Sequence, residues 1–318
     1  MLGSPVHQPL ASSMRQILSF AHFSDPHLPL PSGRPGRLRD LAGKRLLGYL
    51  SWRRKRHGVH RPDVLAALLA DMSGHALDHV VVTGDLVNIA LPDEFERARA
   101  WLEQLGTPDG VSVVPGNHDA TVAMPWQTGI GLWQPWMESD GGGAGFPFVR
   151  VRGPVAFIGV STAVPSPPLL AIGTVGRDQA ARLAEALDRA GRDGLFRVVL
   201  MHHPPMMIHG TARTALTDRR EVQAVLRRCG AELVLHGHHH REHLGYLPGP
   251  GDAAIPVIGV PSASAAAHGH TQPARWIRFT VAGLEGGWHL GAEVRGFVEG
   301  GFQTTSRFAI GYEARAAA

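Results

Sequence analysis

Residues 233–243 read LVLHGHHHREH, a short apolar run that leads directly into a histidine-rich turn. Apolar runs that are rich in β-branched residues and lack alternation are typical of strands buried on both faces. The same pattern recurs along the chain. The strands that it predicts are Ile17–Phe23, His79–Thr83, Val111–Val114, Val155–Ser161, Phe196–Met201, Leu233–Leu235 and Ile255–Val260.

In the stretches between these strands, apolar residues recur at helical spacing. The last helical stretch closes on Cys229-Gly230, which is a typical C-terminal cap. The predicted helices are Val64–His75, Asp93–Leu105, Arg177–Ala190 and Asp218–Arg228. Strands that alternate with helices predict an α/β architecture, and Trp276–Val281 and Trp288–Phe297 predict antiparallel strands that complete a sheet.

The composition is that of a soluble globular protein. Of 318 residues, 44% are hydrophobic and 18% charged, and no apolar run approaches the roughly 20 residues that span a bilayer. The single cysteine, Cys229, excludes an internal disulfide framework and fits a reducing compartment. We expect a disordered lead-in without a secretory signal (1–14), a single domain (15–310), a tail (311–318) and a cytoplasmic location.

Polar side chains follow five of the predicted strands, at the point where each strand ends. These turns are Asp25-Pro26-His27, Gly84-Asp85, Asn117-His118-Asp119, His202-His203 and Gly237-His238-His239-His240. Loops at the carboxyl ends of strands line the ligand crevice of an open α/β sheet, so we expect these side chains to converge. Mixed Asp, His and Asn ligands suit Fe, Mn, Zn or Co, and an anionic oxygen can bridge two such cations. The sequence therefore predicts a dinuclear metal site.

The five turns resemble, in order, the sequence blocks of calcineurin-like metallophosphoesterases, over roughly residues 17–262. The resemblance implies a four-layer α/β/β/α sandwich of two mixed sheets flanked by helices. His118 resembles the family's catalytic histidine, which stabilises charge on the phosphoryl group or protonates the leaving oxygen. The implied metal ligands are Asp25, His27 and His240 for one ion, Asn117, His202 and His238 for the other, and Asp85 as the bridge.

The resemblance also implies the reaction, which is in-line attack at phosphorus by a hydroxide held between two divalent or mixed-valence ions of Mn, Fe or Zn. The Gly-His-His-His turn is most similar to bacterial phosphodiesterases of the cyclic-nucleotide type, so we expect a nucleotide-type phosphate ester as substrate. The alternative is a membrane-surface pyrophosphatase of a nucleotide-linked lipid precursor, such as an acylated UDP-sugar. A non-catalytic protein-binding scaffold is a more remote alternative, since all seven ligand positions are intact.

Residues near the expected ligands leave several roles open. In an extended turn, His238 and His240 point to the same side, whereas His239 points elsewhere, toward substrate or solvent. His203 is a candidate contact for phosphate. Asp119 either orients the neighbouring His118 or caps the next turn. Three tryptophans are expected in the core, with a pocket wall as the alternative: Trp126, Trp133 and Trp136.

The net charge of +4 is concentrated in one segment, 34–61, which we call the basic insertion. Between Arg34 and Arg56, nine Lys or Arg residues accompany one acid, Asp40, with leucines and Trp52 interleaved at near-helical spacing. One interpretation is a solvated lid over the site. The other is contact of residues 34–58 with an anionic membrane at its inner face, with Trp and Leu inserting while Arg and Lys pair with head groups. One basic patch without stacking aromatics gives little support for nucleic acid binding, and the oligomeric state is open.

Overall fold

The computed structural model describes residues 15–30, 38–41, 43–143, 145–208, 212–267 and 271–313. The strands are β1 (Arg15–Phe23), β2 (His79–Val82), β3 (Val111–Val113), β4 (Phe148–Arg152), β5 (Val155–Gly159), β6 (Phe196–Leu200), β7 (Leu233–His236), β8 (His243–Pro248), β9 (Ala254–Gly259), β10 (Arg275–Leu284), β11 (Gly287–Val298) and β12 (Gly301–Glu313). The helices are α1 (Lys44–Ser51), α2 (Pro62–Ser73), α3 (Pro92–Leu105), α4 (Arg177–Arg192) and α5 (Arg219–Cys229). Within these ranges no helix combines the length and the apolar character needed to cross a bilayer.

The strands form two mixed sheets of six strands each. Sheet 1 has the order β12-β11-β10-β1-β2-β3, and sheet 2 has the order β4-β5-β6-β7-β9-β8. Strands β1, β2 and β3 are parallel, as are β5, β6, β7 and β9, whereas the remaining pairs are antiparallel. Because parallel strands end at the same edge of a sheet, the turns after β1 to β3 gather at one edge of sheet 1. The turns after β6 and β7 gather in the same way in sheet 2.

The two sheets face each other across a shared apolar core. Phe20 of β1 meets Phe157 of β5 edge-on, with ring centroids 5.1 Å apart. Helices α4 and α5 pack on the other face of sheet 2 and share a second core with β6 and β7. Helices α2 and α3 pack against sheet 1, where Trp101 meets Phe23 edge-on. The expected four-layer sandwich is confirmed.

The strands that the sequence did not predict all lie at the edges of sheets. The seven short predicted strands and the four predicted helices are present, with ends within two residues of those expected. The unpredicted strands are β4, β8 and β12, each of which is the outermost strand of its sheet. Strand β12 continues to Glu313, so part of the expected tail belongs to the sheet. The expected lead-in (1–14) and residues 314–318 lie outside the described residues.

Two of the three tryptophans near His118 lie in the core, as expected. Trp133 and Trp136 are buried, and their indole N–H groups donate to the backbone carbonyls of Phe95 and Gly106. Trp126 is 40% exposed, so it belongs to neither the core nor a closed pocket wall.

The basic insertion packs onto the domain through its apolar residues. It forms α1 and a π-helical turn, Trp52–Arg56. Leu41 and Trp52 pack into a small apolar cluster with Leu30, Ile89 and Leu91. Since Trp52 is only 8% exposed, the expectation that it inserts into lipid is wrong.

Two basic residues of α1 donate hydrogen bonds to other parts of the domain. Lys44 Nζ donates to Ser166 O at 2.9 Å and to Ser166 Oγ at 2.7 Å, and Arg45 donates to Ala90 O at 2.6 Å. Arg53 and Arg54 are exposed. Outside the described part of the chain lie Arg34, Arg37 and the side chains of Arg39, Lys55 and Arg56.

Candidate metal centre

The turns that follow β1, β2, β3, β6 and β7 meet where the two sheets come together. Hydrogen bonds join the turns to one another. Asp25 N donates to Gly84 O at 3.0 Å, and Gly237 N donates to His202 O at 3.1 Å. Across the two sheets, His238 N donates to Asp25 Oδ2 at 3.2 Å. The seven expected ligands are therefore brought together by the backbone as well as by their side chains.

Asp25, His27, Asp85 and His240 form what we call the first donor group. His240 Nε2 lies 3.1 Å from Asp25 Oδ1 and 3.2 Å from His27 Nε2, and His27 Nε2 lies 3.8 Å from Asp85 Oδ2. Metal bonds to nitrogen and carboxylate oxygen are about 2.0–2.2 Å long, so two ligands of one ion lie at most about 4.4 Å apart. All three separations are within that limit, and the group fits one cation.

Asn117, His202 and His238, together with Asp85, form the second donor group. Asn117 Oδ1 lies 3.2 Å from His202 Nε2 and 2.8 Å from His238 Nδ1. His202 Nε2 lies 3.4 Å from Asp85 Oδ2, the same oxygen that faces His27. Asp85 is thus adjacent to both groups, as a bridging carboxylate must be.

Backbone carbonyls orient three of the four imidazole rings in the two groups. The bonds are His27 Nδ1 to Val87 O at 3.2 Å, His202 Nδ1 to Thr83 O at 2.7 Å and His238 Nε2 to Thr214 O at 2.8 Å. Because a carbonyl only accepts, the outward nitrogen carries the N–H and the other nitrogen faces the donor group. Histidines that bind metals are oriented in this way, so these residues fit a bound cation.

Burial keeps two of the expected ligand histidines neutral. It lowers the pKa of both His27 and His238 well below the usual value, and neighbouring imidazoles lower it further. Both rings are therefore unprotonated at neutral pH, as metal ligation requires.

The pKa of His202 is raised and the pKa of Asp85 is lowered, because each residue stabilises the charged form of the other. Burial lowers the pKa of His202, but the Asp85 carboxylate outweighs it and raises this pKa to about 9. Burial would raise the pKa of Asp85, but His202 and His118 together hold it well below its usual range. A cation next to Asp85 supplies the same positive charge as the proton on His202. Metal binding is therefore expected to displace that proton.

Five of the seven expected ligands have a left-handed backbone. Among the described residues, nine that are not glycine have positive φ, and five of these are Asp25, His27, Asp85, His238 and His240. Such residues cost on the order of 1–3 kcal/mol each and concentrate at functional sites. His238 and His240 do both face the centre, but the expected reason is wrong. Their φ angles of 74° and 50° make a left-handed turn rather than an extended one.

Two glycines are required by the close approach of the turns. A Cβ atom at Gly116 would lie 2.2 Å from Asp85 Oδ1, and one at Gly237 would lie 2.4 Å from Asp25 Oδ2. Any larger residue at either position would displace a carboxylate of the centre.

His118 lies beside the first donor group. Its ring meets that of His27 edge-on at 5.0 Å, and its backbone N–H donates to Asp85 Oδ1 at 2.8 Å. His118 Nδ1 donates to Asn88 O at 2.6 Å. The loop that carries Asn88 is held by the buried Glu94 carboxylate, which accepts from the backbone N–H groups of Asn88, Ile89 and Leu91. The role of Glu94 has no signal in the sequence, because its partners are backbone atoms.

Asp119 has neither of the two roles that we considered. Its carboxylate accepts from the backbone N–H groups of Asp85, Val87 and Gly116 at 2.7–3.0 Å, so it ties together the turns after β2 and β3. Burial and the charge of Asp85 raise the pKa of Asp119 to about 8.

His203 is buried beside the centre. Its Nδ1 is 2.8 Å from Thr162 Oγ1 and its Nε2 is 3.1 Å from Ala171 O. Both nitrogens are therefore bound to protein groups, and the expected contact with phosphate is not supported. His239 is half-buried beside Pro204 and Met206, at the rim of the centre.

One further histidine lies at the centre, His60, which was not predicted from the sequence. It is buried, and one of its ring nitrogens lies within 4.8 Å of those of His27 and His240. His60 lies at the end of the basic insertion, and no second ligand lies at a recognisable spacing from it. The sequence around His60 therefore does not indicate a metal site.

Comparison with known proteins agrees with this geometry. The model of the calcineurin-like phosphoesterase family matches residues 18–242. The chain is 27% identical over 214 residues to a probable cyclic nucleotide phosphodiesterase of a Synechococcus species. The aligned region covers 66% of this chain and 74% of that protein.

Solved structures with the same fold include two phosphatases. A dimetal phosphatase from Danio rerio matches with a TM-score of 0.59 and 14% identity, over 93% of this chain and 99% of that one. A purple acid phosphatase from yellow lupin seeds matches with a TM-score of 0.61 and 13% identity, over 93% of this chain and 54% of that one. At such identities the likeness concerns the fold. With the family match over most of its length, the chain belongs to the calcineurin-like phosphoesterases and is a metal-dependent phosphoester hydrolase.

Proposed function

We propose that the chain is a phosphodiesterase with a dinuclear metal centre that acts on a nucleotide-type phosphate ester. The observation that carries the proposal is the position of Asp85, with one carboxylate oxygen facing His27 and His202 at 3.8 and 3.4 Å, beside His118. The ions would be Mn, Fe or Zn. Asp25, His27 and His240 would hold one of them, Asn117, His202 and His238 would hold the other, and Asp85 would contribute to both positions.

Metal ions held by these residues would supply charge neutralisation of the phosphoryl oxygens and would lower the pKa of a bound water molecule. His118 stabilises charge on the phosphoryl group or gives a proton to the leaving oxygen. Its Nδ1 is held by Asn88 O, so Nε2 is on the opposite edge of the ring. Asp85 is kept in place by the backbone N–H of His118.

Two observations support a nucleotide-type substrate. The Synechococcus relative is described as a probable cyclic nucleotide phosphodiesterase. An acylated UDP-sugar would need an apolar groove for its acyl chains, and the space beneath the basic insertion is occupied by Leu41 and Trp52, packed on Ile89 and Leu91.

Metal reconstitution tests the proposal directly. The protein is stripped with a chelator, reloaded with Mn²⁺ and assayed with bis(p-nitrophenyl) phosphate, cAMP and an acylated UDP-sugar. We expect binding of about two ions per chain, hydrolysis of the diester and a higher kcat/KM for cAMP than for the UDP-sugar. The reverse order of the last two substrates would favour the pyrophosphatase. Absence of both metal and hydrolysis would favour a scaffold.

We also propose that α1 brings this cytoplasmic enzyme to the inner face of an anionic membrane. Leu46, Leu47 and Leu50 are 44%, 47% and 37% exposed. Arg53 and Arg54 follow in the π-helical turn directly after α1 and are exposed. Exposed leucines beside arginines are typical of interfacial helices.

Vesicle co-sedimentation tests the membrane contact. Each arginine near an anionic surface contributes about 1 kcal/mol, so R53S/R54S is expected to weaken binding to vesicles that contain phosphatidylglycerol by about 30-fold. The control R99S/R227S, on α3 and α5, should bind like the wild type. The proposal would be contradicted if both double variants bound anionic vesicles equally well. It would also be contradicted if the wild-type protein bound neutral vesicles as well as anionic ones.

A further inference from the structure

His60 lies inside the metal centre although it belongs to none of the five sequence blocks. One of its ring nitrogens lies within 4.8 Å of ring nitrogens of His27 and His240, and those two nitrogens also lie within 4.8 Å of each other. The centroid of the His60 ring lies 4.4 Å from that of the His27 ring and 5.5 Å from that of the His240 ring. We propose that His60 is a further ligand of the ion at the first donor group.

The backbone holds His60 at this place. His60 forms a β-bridge with Ala265, in the loop that follows β9. The same loop supports the first donor group, because Ser262 Oγ donates to Asp25 O at 2.6 Å. His60 and Asp25 are thus attached to one support, and His60 is not part of a mobile lid.

Hydroxyl groups orient the His60 ring. Its Nδ1 lies 3.0 Å from Ser264 Oγ and 3.2 Å from Ser262 Oγ, and the residue is 9% exposed. Histidines that bind metals are oriented by a hydrogen bond to their other ring nitrogen. The two serines therefore have the same role for His60 as the backbone carbonyl of Val87 has for His27.

An additional imidazole makes the two positions of the centre different. His60 forms a group with His27 and His240, whereas Asp25 and Asp85 form a group with the same two histidines that does not include His60. The first position thus gains a third imidazole, and the second offers two. Imidazole suits Zn and Fe, and carboxylates suit Mn. The third imidazole is therefore expected to shift the preference of the first position toward Zn or Fe.

Two substitutions separate ligation from packing. H60F keeps a ring against His27 but has no donor nitrogen, and H60A removes both. The metal-free proteins are titrated with Co²⁺ by calorimetry and by visible absorption, which reports the coordination of the ion independently of turnover. We expect both variants to bind one ion about 10–100-fold more weakly, with an altered spectrum. The control is H57A, an exposed histidine of the same segment, which should leave both properties unchanged.

Wild-type affinity and spectrum in H60F would overturn the inference. A crystal of the wild-type protein soaked in Mn²⁺ gives an answer that does not depend on the folding of a variant. An anomalous peak about 2.0–2.3 Å from a His60 nitrogen supports ligation, and an ion of the first donor group more than about 3 Å from that ring excludes it. The inference rests on the proposed dinuclear centre. Binding of no metal overturns both proposals, whereas two ions bound without contact to His60 overturn this one alone.

Discussion

Replacing Asp85 by asparagine is expected to lower kcat/KM for bis(p-nitrophenyl) phosphate by about 10³-fold or more. Asp85 Oδ2 is adjacent to both His27 and His202, so its charge serves both cation positions. Asparagine has the same size and keeps an oxygen that can accept the His118 N–H, but it removes the negative charge. Loss of activity should therefore be accompanied by loss of bound metal, which elemental analysis of the purified variant measures.

The Asp85 variant needs a control for the general effect of removing a carboxylate. D178N is suitable, because Asp178 is an exposed residue in the first turn of α4. It should bind metal and turn over substrate as the wild type does. If D85N retained about two ions per chain and wild-type kcat/KM, the bridging role of Asp85 would be refuted.

Replacing His118 by asparagine is expected to reduce kcat by about 10²- to 10⁴-fold while the metal content stays at the wild-type level. The His118 side chain donates a hydrogen bond to Asn88 O, and His118 belongs to neither donor group. Its removal should therefore affect the chemical step and not the binding of ions. Metal analysis and full kinetics with bis(p-nitrophenyl) phosphate measure the two effects separately.

The leaving group distinguishes the two roles of His118. Nitrophenolate leaves without protonation, whereas the alkoxide leaving group of a cyclic nucleotide needs a proton. If His118 is the proton donor, H118N should lose more activity with cAMP than with the nitrophenyl ester. Equal losses would indicate charge stabilisation on the phosphoryl group. The exposed His289 provides the control H289N, and a wild-type kcat for H118N would exclude both roles.

Local sequence was sufficient to predict the central strands. Each of them, such as Val155–Gly159 or Leu233–His236, is buried on both faces and is therefore apolar throughout. The edge strands β4, β8 and β12 were missed for the same physical reason, whereas the edge strand β3 is fully buried and was predicted. Most residues of strand β8 are exposed or half-buried, and Leu244 and Tyr246 are 50% and 52% exposed. A strand that is paired on one side and partly solvated has no apolar run to detect.

The expected ligands could be predicted because each comes directly after a buried strand, in a turn of recognisable composition. The roles of their neighbours could not. Asp119 and Glu94 bind backbone N–H groups, and any residue type offers those, so no sequence pattern identifies the partner. Trp52 was misjudged because its exposure depends on Ile89 and Leu91, which are distant in the chain.

The sequence by itself determined the α/β alternation and indicated seven candidate donor side chains, since both depend on short stretches in which burial and turn chemistry are local. Only the tertiary structure decided which of these donors face one another, which carbonyl orients each imidazole and that His60 joins them. Those features arise where the turns of two sheets and the end of the basic insertion come into contact. The left-handed backbone at His238 and His240 is stable only because these contacts over-determine it, and no local propensity indicates such a conformation.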